Sequence, residues 1–323
     1  MRRAFLCGCD PLTGKDFSHR RQWIVERLSL LSQAFAIDIY AYAVMSNHLH
    51  IVLFVEPDRS QRWSDQEVIE RWRSIYRWRN PEDDTPLPTP DQVGPEKLAA
   101  WRERLGNVSW LMKSLNEPLA HIANAEDNCR GHFWEGRFGC TVLLDDPAVL
   151  AAMAYVDLNP IKAAIADSLI TSDFTSIQRR LRELGYPALE TNKADSTDGG
   201  DLPSNGNVSA APVPAVFSNA PANSPSQTPG ATLHGYIALV EAAAHEALAS
   251  KPDVSTQAQL ALDPFSLALP QWCQAVNDFD RLFRRVAGKT SAVDQFVEQI
   301  GRRRRVAVAG ARLLSSSPLQ KVA

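Results

Sequence analysis

Several things this sequence lacks set its bounds. It has no run of about 18 apolar residues, so no membrane-spanning helix is expected. Its start, MRRAFLCGCD, is too short in its apolar part for a signal peptide, which makes a cytoplasmic location the expectation. No CxxC pair occurs among Cys7, Cys9, Cys129, Cys140 and Cys273, and this odd, scattered set argues for reduced thiols over a zinc site. No glycine-rich loop of the phosphate-cradling kind is evident. Positive charge is not in excess either: the net charge is −3, and residues 1–190 hold 22 Lys plus Arg against 26 Asp plus Glu. A polycation that coats nucleic acid is thereby excluded, and any phosphate contact must come from local arginine clusters. Two exist, Arg71, Arg73, Arg77 and Arg79, and the run Arg302 to Arg305.

What is present is a globular composition on a chain of 323 residues, long enough for two domains. From about Thr191 to Gly230 the sequence is rich in Ser, Pro, Ala, Asn and Gly, with too few large apolar residues to offset chain entropy. The expected organisation is therefore a domain over 1–190, a disordered linker over 191–230 and a helical C-terminal extension over 231–313. The tail carries helical periodicity (Tyr236, Leu239, Val240; Trp272, Val276, Phe279, Phe283; Val293, Phe296, Val297, Ile300) and no evident site chemistry.

Within 1–190, Arg2 to Cys9 reads as the end of a first strand, and Ser18 to Phe35 as a helix with Ile24, Leu28, Leu31 and Phe35 on one side. Ala41 to Val55 reads as two strands joined by a turn at Ser46 and Asn47. A helix capped by the Ser64/Glu67 box follows, within an insertion of about residues 61–105. Glu96 to Leu105 and Val108 to Asn124 read as helices, and Pro118 should kink the second or end it near Asn116. A short strand is expected around Cys140 to Leu144, a helix with Asp146 as N-cap and Pro147 at its first position running to Leu158, broken or bent at Asn159-Pro160, and a short helix near Thr175 to Leu184. The class is α+β.

Two constellations carry chemistry. His48 and His50 alternate on a strand, so both imidazoles leave one face while Leu49, Ile51, Leu53 and Val55 leave the other. That is chelating geometry, although paired strand histidines also serve as hydrogen-bonded core residues. Tyr155 and Asn159 lie one helical turn apart and so share a side. Core packing for the tyrosine and helix termination for the asparagine are the plainer readings of each alone.

Together these residues resemble the single-tyrosine HUH nucleases. His48-Leu49-His50 is similar to their His-hydrophobic-His motif. The stretch AYVDLNPIKA, Ala154 to Ala163, looks like the segment holding the nucleophilic tyrosine in REP-associated tyrosine transposases and insertion-sequence relatives. GHFWEGRF, from Gly131 to Phe138, is similar to a signature those proteins carry between the two sites. The resemblance spans roughly residues 1–190. It implies a ferredoxin-like antiparallel sheet with flanking helices, acting on single-stranded or hairpin DNA, as a monomer or as a homodimer with shared sites, and nucleoid-associated when bound to DNA.

The same resemblance implies Tyr155 as the nucleophile that forms a 5′-phosphotyrosine, and His48, His50 and Asn159 as ligands of Mg²⁺ or Mn²⁺. Imidazole donors tilt that choice toward Mn²⁺. Arg71, Arg73, Arg77 and Arg137 are candidate DNA contacts, with a solvated arginine face or a structural salt bridge as the competing reading. Two other classes stand beside the enzyme. One is a non-catalytic DNA-hairpin-binding protein of the same descent. The other is a histidine-triad nucleotide hydrolase, disfavoured because Val52 stands where its third histidine would be.

Overall fold

A computed structural model describes residues 6–10, 13–77, 85–186, 215–216, 229–247, 256–301 and 308–315. Arg79, Arg302 to Arg305 and nearly all of the expected linker lie outside the described residues. The chain divides into two compact units, Met1–Phe138 with Ala215–Ser226, and Gly139–Pro214 with Gln227–Ala323. The division thus falls at 138/139, inside the stretch expected to form one domain. Its physical reason lies in the second unit, where the helix carrying Tyr155 packs on helices of the C-terminal region.

The first unit is built on the hairpin β1 (Ile37–Val44) and β2 (Leu49–Val55), antiparallel, with Ala43 opposite His50 and an irregularity between Ile39 and Ala41. β1 is buried along its whole length, as a strand of alternating and β-branched apolar residues covered on both faces must be. Its helices are α1 (Arg20–Ala34), α2 (Pro57–Gln61), α3 (Asp65–Arg77), α4 (Pro90–Val93), α5 (Pro95–Leu105) and α6 (Val108–Glu126). The Ser64 box forms as the sequence indicates: Ser64 N donates to Glu67 Oε2 at 2.8 Å, and Glu67 N to Ser64 Oγ at 3.2 Å. Asn107, not foreseen as a cap, accepts from Ser109 N and Trp110 N at the start of α6. The expected first strand is absent among the described residues, where Leu6–Gly8 bend and Cys9 forms one bridge to Asp16.

α6 runs unbroken through Pro118, against the expectation of a kink or stop near Asn116. Proline has no N–H, so the carbonyl four residues earlier, that of Ser114, loses its helical donor. The buried Arg27 replaces it: Nε and Nη2 donate to Ser114 O at 3.0 and 2.9 Å, and Nη1 to Ile75 O at 2.8 Å. One guanidinium thereby joins α1, α3 and α6. A second buried guanidinium, Arg59, makes a bidentate pair with Asp38 of β1, both bonds 2.6 Å.

The second unit contains β3 (Val142–Leu143), α7 (Asp146–Lys162), α8 (Ser176–Glu183), α9 (Leu233–Ala247), α10 (Thr256–Leu262), α11 (Leu269–Asn277), α12 (Phe279–Leu282), β4 (Val286–Ala287), α13 (Thr290–Gln299) and α14 (Val308–Leu313). β3 and β4 pair in parallel, so the C-terminal stretch, expected to be wholly helical, supplies a short strand as well. The N-cap of α7 is Asp145 rather than Asp146: its Oδ1 accepts from Ala148 N at 3.0 Å and its Oδ2 from Lys289 N at 2.6 Å. α7 continues through Pro160 to Lys162, again without the expected break. At its heart Asp157 is fully buried, accepting from Ser176 Oγ, from Ile177 N at 3.0 Å and from Tyr236 Oη at 2.5 Å, with Arg180 Nη1 3.6 Å away. Among the described residues the fold is mixed α+β and mostly helical, and no helix is long and apolar enough to cross a membrane.

Candidate functional site

His50 sits on β2 and His48 just before it, and the alternation of the strand brings their rings edge to face, 4.7 Å between centroids. His48 Nδ1 is 2.6 Å from Asn47 Oδ1. If Nδ1 carries the proton, that bond fixes the tautomer in which Nε2 presents its lone pair outward, the arrangement metal-binding histidines use. Partial desolvation, with the charge of the chain's N-terminus, holds the His48 pKa below the ordinary imidazole value, which favours the neutral, ligating form. The pair supplies two donors. Among the described residues no group of three or more His, Cys, Asp and Glu side chains is placed to hold a metal ion, so a third donor would have to be an amide, water or the substrate.

Tyr155 and Asn159 lie on α7 in the second unit, whereas the histidines belong to the first. One turn of helix brings the two together as the spacing requires. Asn159 Nδ2 donates to the Tyr155 carbonyl at 2.8 Å, which leaves Oδ1 as its acceptor end. The tyrosine ring is half-buried and stacks on Phe279, centroids 5.3 Å apart and planes 26° apart. Lys162 Nζ lies 5.1 Å from the centre of the same ring and donates to Asn277 O at 2.6 Å. Burial pushes the phenol pKa above its usual value and the Asp280 carboxylate pushes it further, while a hydrogen bond from the Asn159 side chain pulls it down. Three neighbours of the nucleophile candidate, Phe279, Asp280 and Lys162, were not singled out from the sequence. The apolar spacing of Phe279 marked only a helix face, and nothing in the chain ties it to Tyr155.

The arginines divide by what they already hold. Arg71 Nη1 donates to the Gln33 carbonyl and its guanidinium lies 4.1 Å over the Trp63 ring, so it braces α3 against the end of α1. Arg77 Nη2 donates to Thr85 O at 2.8 Å. Arg73 lines a surface cleft, and Arg137 is exposed on the loop after α6. The aromatic signature that precedes Arg137 is partly a packing device. Phe133 is buried, Trp134 Nε1 donates to Asn116 O at 2.9 Å, and Asn124 Nδ2 donates to Gly131 O at 3.0 Å, which fastens the loop back onto α6.

The five cysteines form no disulfide in the structure, with Cys7 and Cys273 buried and the other three exposed. Compared with protein-family models, with curated proteins and with solved structures, the chain matches none of them.

Proposed function

We propose that this protein is a transposase-like DNA strand-transfer enzyme that cleaves single-stranded or hairpin DNA through Tyr155. The observation that carries the proposal is the pairing of Tyr155 with Asn159 on one turn of α7, together with the edge-to-face pair of imidazoles that the hairpin of the other unit presents. The motif order in the sequence supports it too. In the reaction the Tyr155 phenol gives up its proton, Oη attacks phosphorus, and the Oη–P bond replaces the bond to the 3′ oxygen, which leaves as a hydroxyl. The products are a 5′-phosphotyrosine and a free 3′-hydroxyl, and attack by such a hydroxyl reverses the step and joins strands without ATP. Phenolate is a fair leaving group, so the intermediate conserves the phosphodiester energy for transfer.

His48 and His50 would hold a Mg²⁺ or Mn²⁺ ion, with Asn159 of the same chain or of a second copy as a further donor. When bound, the ion neutralises charge on the non-bridging phosphate oxygens. Arg137, which is exposed, and Arg73, which lines a cleft, are the candidate phosphate contacts for that task. The ferredoxin-like sheet belongs to the same proposal, with β1 and β2 as two of its strands, as does nucleoid association while DNA is bound.

The test is covalent capture. Full-length protein mixed with hairpin-bearing single-stranded DNA and Mn²⁺ should yield an adduct that survives denaturing electrophoresis. Tyr155→Phe should abolish the adduct and leave DNA affinity nearly unchanged. An adduct that persists in Tyr155→Phe removes the nucleophile assignment. One observation favours a second reading, DNA-hairpin binding without cleavage: the phenol lies under Phe279 and its pKa is raised, both unfavourable to attack. Hairpin binding with no adduct under either ion would establish that reading.

A further inference from the structure

The insertion over 61–105, from which the strand-transfer proposal takes only Arg73, contains four of the eight tryptophans of the chain, Trp63, Trp72, Trp78 and Trp101. α3 and α5 pack against one another there through Trp72 and Trp101, stacked at 5.4 Å with planes 11° apart. Beside that stack opens a cleft of about 430 Å³ lined by Trp72, Arg73, Tyr76, Gln92, Lys97 and Trp101 among others. This volume lies within the range of about 300–1,000 Å³ typical of ligand pockets.

Its chemistry is uneven in an informative way. Tyr76 is 53% exposed although its ring lies 5.7 Å from Trp72, so an aromatic face is offered to solvent at the edge of an aromatic cluster. Ordinary core packing would have covered it. Lys97 is exposed with its ammonium 5.1 Å from the Trp101 ring, and Arg73 lines the same cleft from α3. Gln92 is held by the start of α4, its Oε1 accepting from Thr89 N at 2.8 Å, which leaves Nε2 as its donor end. An open π face, two cations and an amide within one cleft match a nucleotide, with base, phosphate and base edge each answered by one kind of group. A purely apolar ligand would make no use of the positive charge in the cleft, and a free anion would make none of the tyrosine face.

We infer that this cleft is a slot for one unpaired nucleotide of a single-stranded DNA, its base stacked on Tyr76 against the Trp72–Trp101 wall and its phosphate between Arg73 and Lys97. The choice of single-stranded DNA as the source of that nucleotide rests on the function proposed above; the slot itself rests on the cleft. Such a slot would hold an unpaired flank of the substrate, and sequence tolerance follows from stacking because every base has a π face.

The experiment measures fluorescence anisotropy of a labelled unstructured oligothymidylate with the full-length chain, alongside the Mn²⁺ adduct assay. Tyr76→Ala should weaken binding about tenfold and Tyr76→Phe should restore it. Lys97→Ala should lower the slope of log K against log salt by about 0.7, the amount expected for one phosphate contact on a single strand. Circular dichroism and melting of each variant should match the wild type, since both side chains are exposed. Wild-type binding with equal affinity in Tyr76→Ala overturns the slot and leaves the proposed function standing. Loss of binding in Tyr76→Ala with no adduct in the wild type keeps the slot and overturns the function. A wild type that binds no single strand overturns both.

Discussion

The two units place their buried charge differently, and the difference tracks how each displays its candidate chemistry. In the first unit the buried charges among the described residues are three guanidinium groups, Arg20, Arg27 and Arg59, and one carboxylate, Asp38, and they tie helices and the hairpin together through carbonyls and carboxylates. In the second one carboxylate, Asp157, gathers donors from α8 and α9 around it, and the one buried guanidinium among the described residues there, Arg180, lies 3.6 Å from it. The imidazole pair of the first unit lies at the turn end of a hairpin, where strand alternation sets its geometry. The phenol of the second lies on a helix that other helices cover. A motif carried by local periodicity stays accessible, whereas one carried by a packed helix depends on what the rest of the chain lays over it.

The largest way to break that contrast is to remove its acidic centre. Asp157→Ala strands three donors and a nearby guanidinium, and should cost about 3–5 kcal/mol, the range for an uncompensated buried partner. Burial raises the Asp157 pKa, and Arg180 and the three hydrogen bonds that the carboxylate accepts oppose that rise. Asp157→Asn keeps the shape and an acceptor and should lose less than half as much, as read from urea unfolding. Equal losses for Ala and Asn would mean the carboxylate charge itself is what the network needs.

Next comes the cover over the phenol. Phe279 is 6% exposed, and Phe279→Ala should cost about 3 kcal/mol in thermal unfolding, the low end for a buried Phe because one of its faces meets only the Tyr155 ring. The substitution should also expose Tyr155. If covalent adduct formation rises at the same time, Phe279 restrains the nucleophile; a fall would make it a support for the ring.

On the basic side, Arg27→Met should cost about 2 kcal/mol through the three hydrogen bonds it loses. Pro118→Ala restores a helical N–H for the Ser114 carbonyl. In that background Arg27→Met should therefore be milder, with a coupling of about 0.5–1 kcal/mol in the double-mutant cycle. Strict additivity would show that the proline has nothing to do with the arginine.

The same case shows what sequence reading can reach. The hairpin, the Ser64 box and the positions of most helices follow from spacings of two to four residues, and these are legible. Pro118 and Pro160 signal helix breaks by their local chemistry, yet both helices continue. At Pro118 the compensating donor comes from Arg27, far along the chain, and no local window contains it. The cap of α7 moved by one residue because Asp145 also serves Lys289 at the start of α13, a partner equally remote. For the candidate site, the His48/His50 and Tyr155/Asn159 pairs were readable because each lies within one strand or one turn. Lys162, two turns beyond Tyr155 on the same helix, was within reach of that reasoning, but Phe279 and Asp280 were not. Their tie to Tyr155 is made by α12 packing on α7, a contact with no signature in periodicity.

The smallest expected effect is a titration, and it bears directly on whether the covered phenol can act. Burial and Asp280 raise the Tyr155 pKa above the ordinary value of about 10, outweighing the Asn159 hydrogen bond. A raised pKa means that folding favours the protonated phenol, so its contribution to stability is present below about pH 10 and is lost as pH rises through the folded value. At neutral pH very little phenolate exists, and if phenolate is the attacking species the adduct rate should climb with pH, about tenfold per unit, without levelling off below pH 10. The tyrosinate absorbance difference between wild type and Tyr155→Phe reads the pKa directly. Phe279→Ala should bring it down toward the ordinary value and carry the rate profile with it, by a fraction of a unit, because Asp280 still faces the ring. A rate that is flat with pH while the absorbance titrates would mean that the proton leaves Tyr155 through a neighbouring base or a metal-bound hydroxide, and the cover over the phenol would then have no bearing on its reactivity.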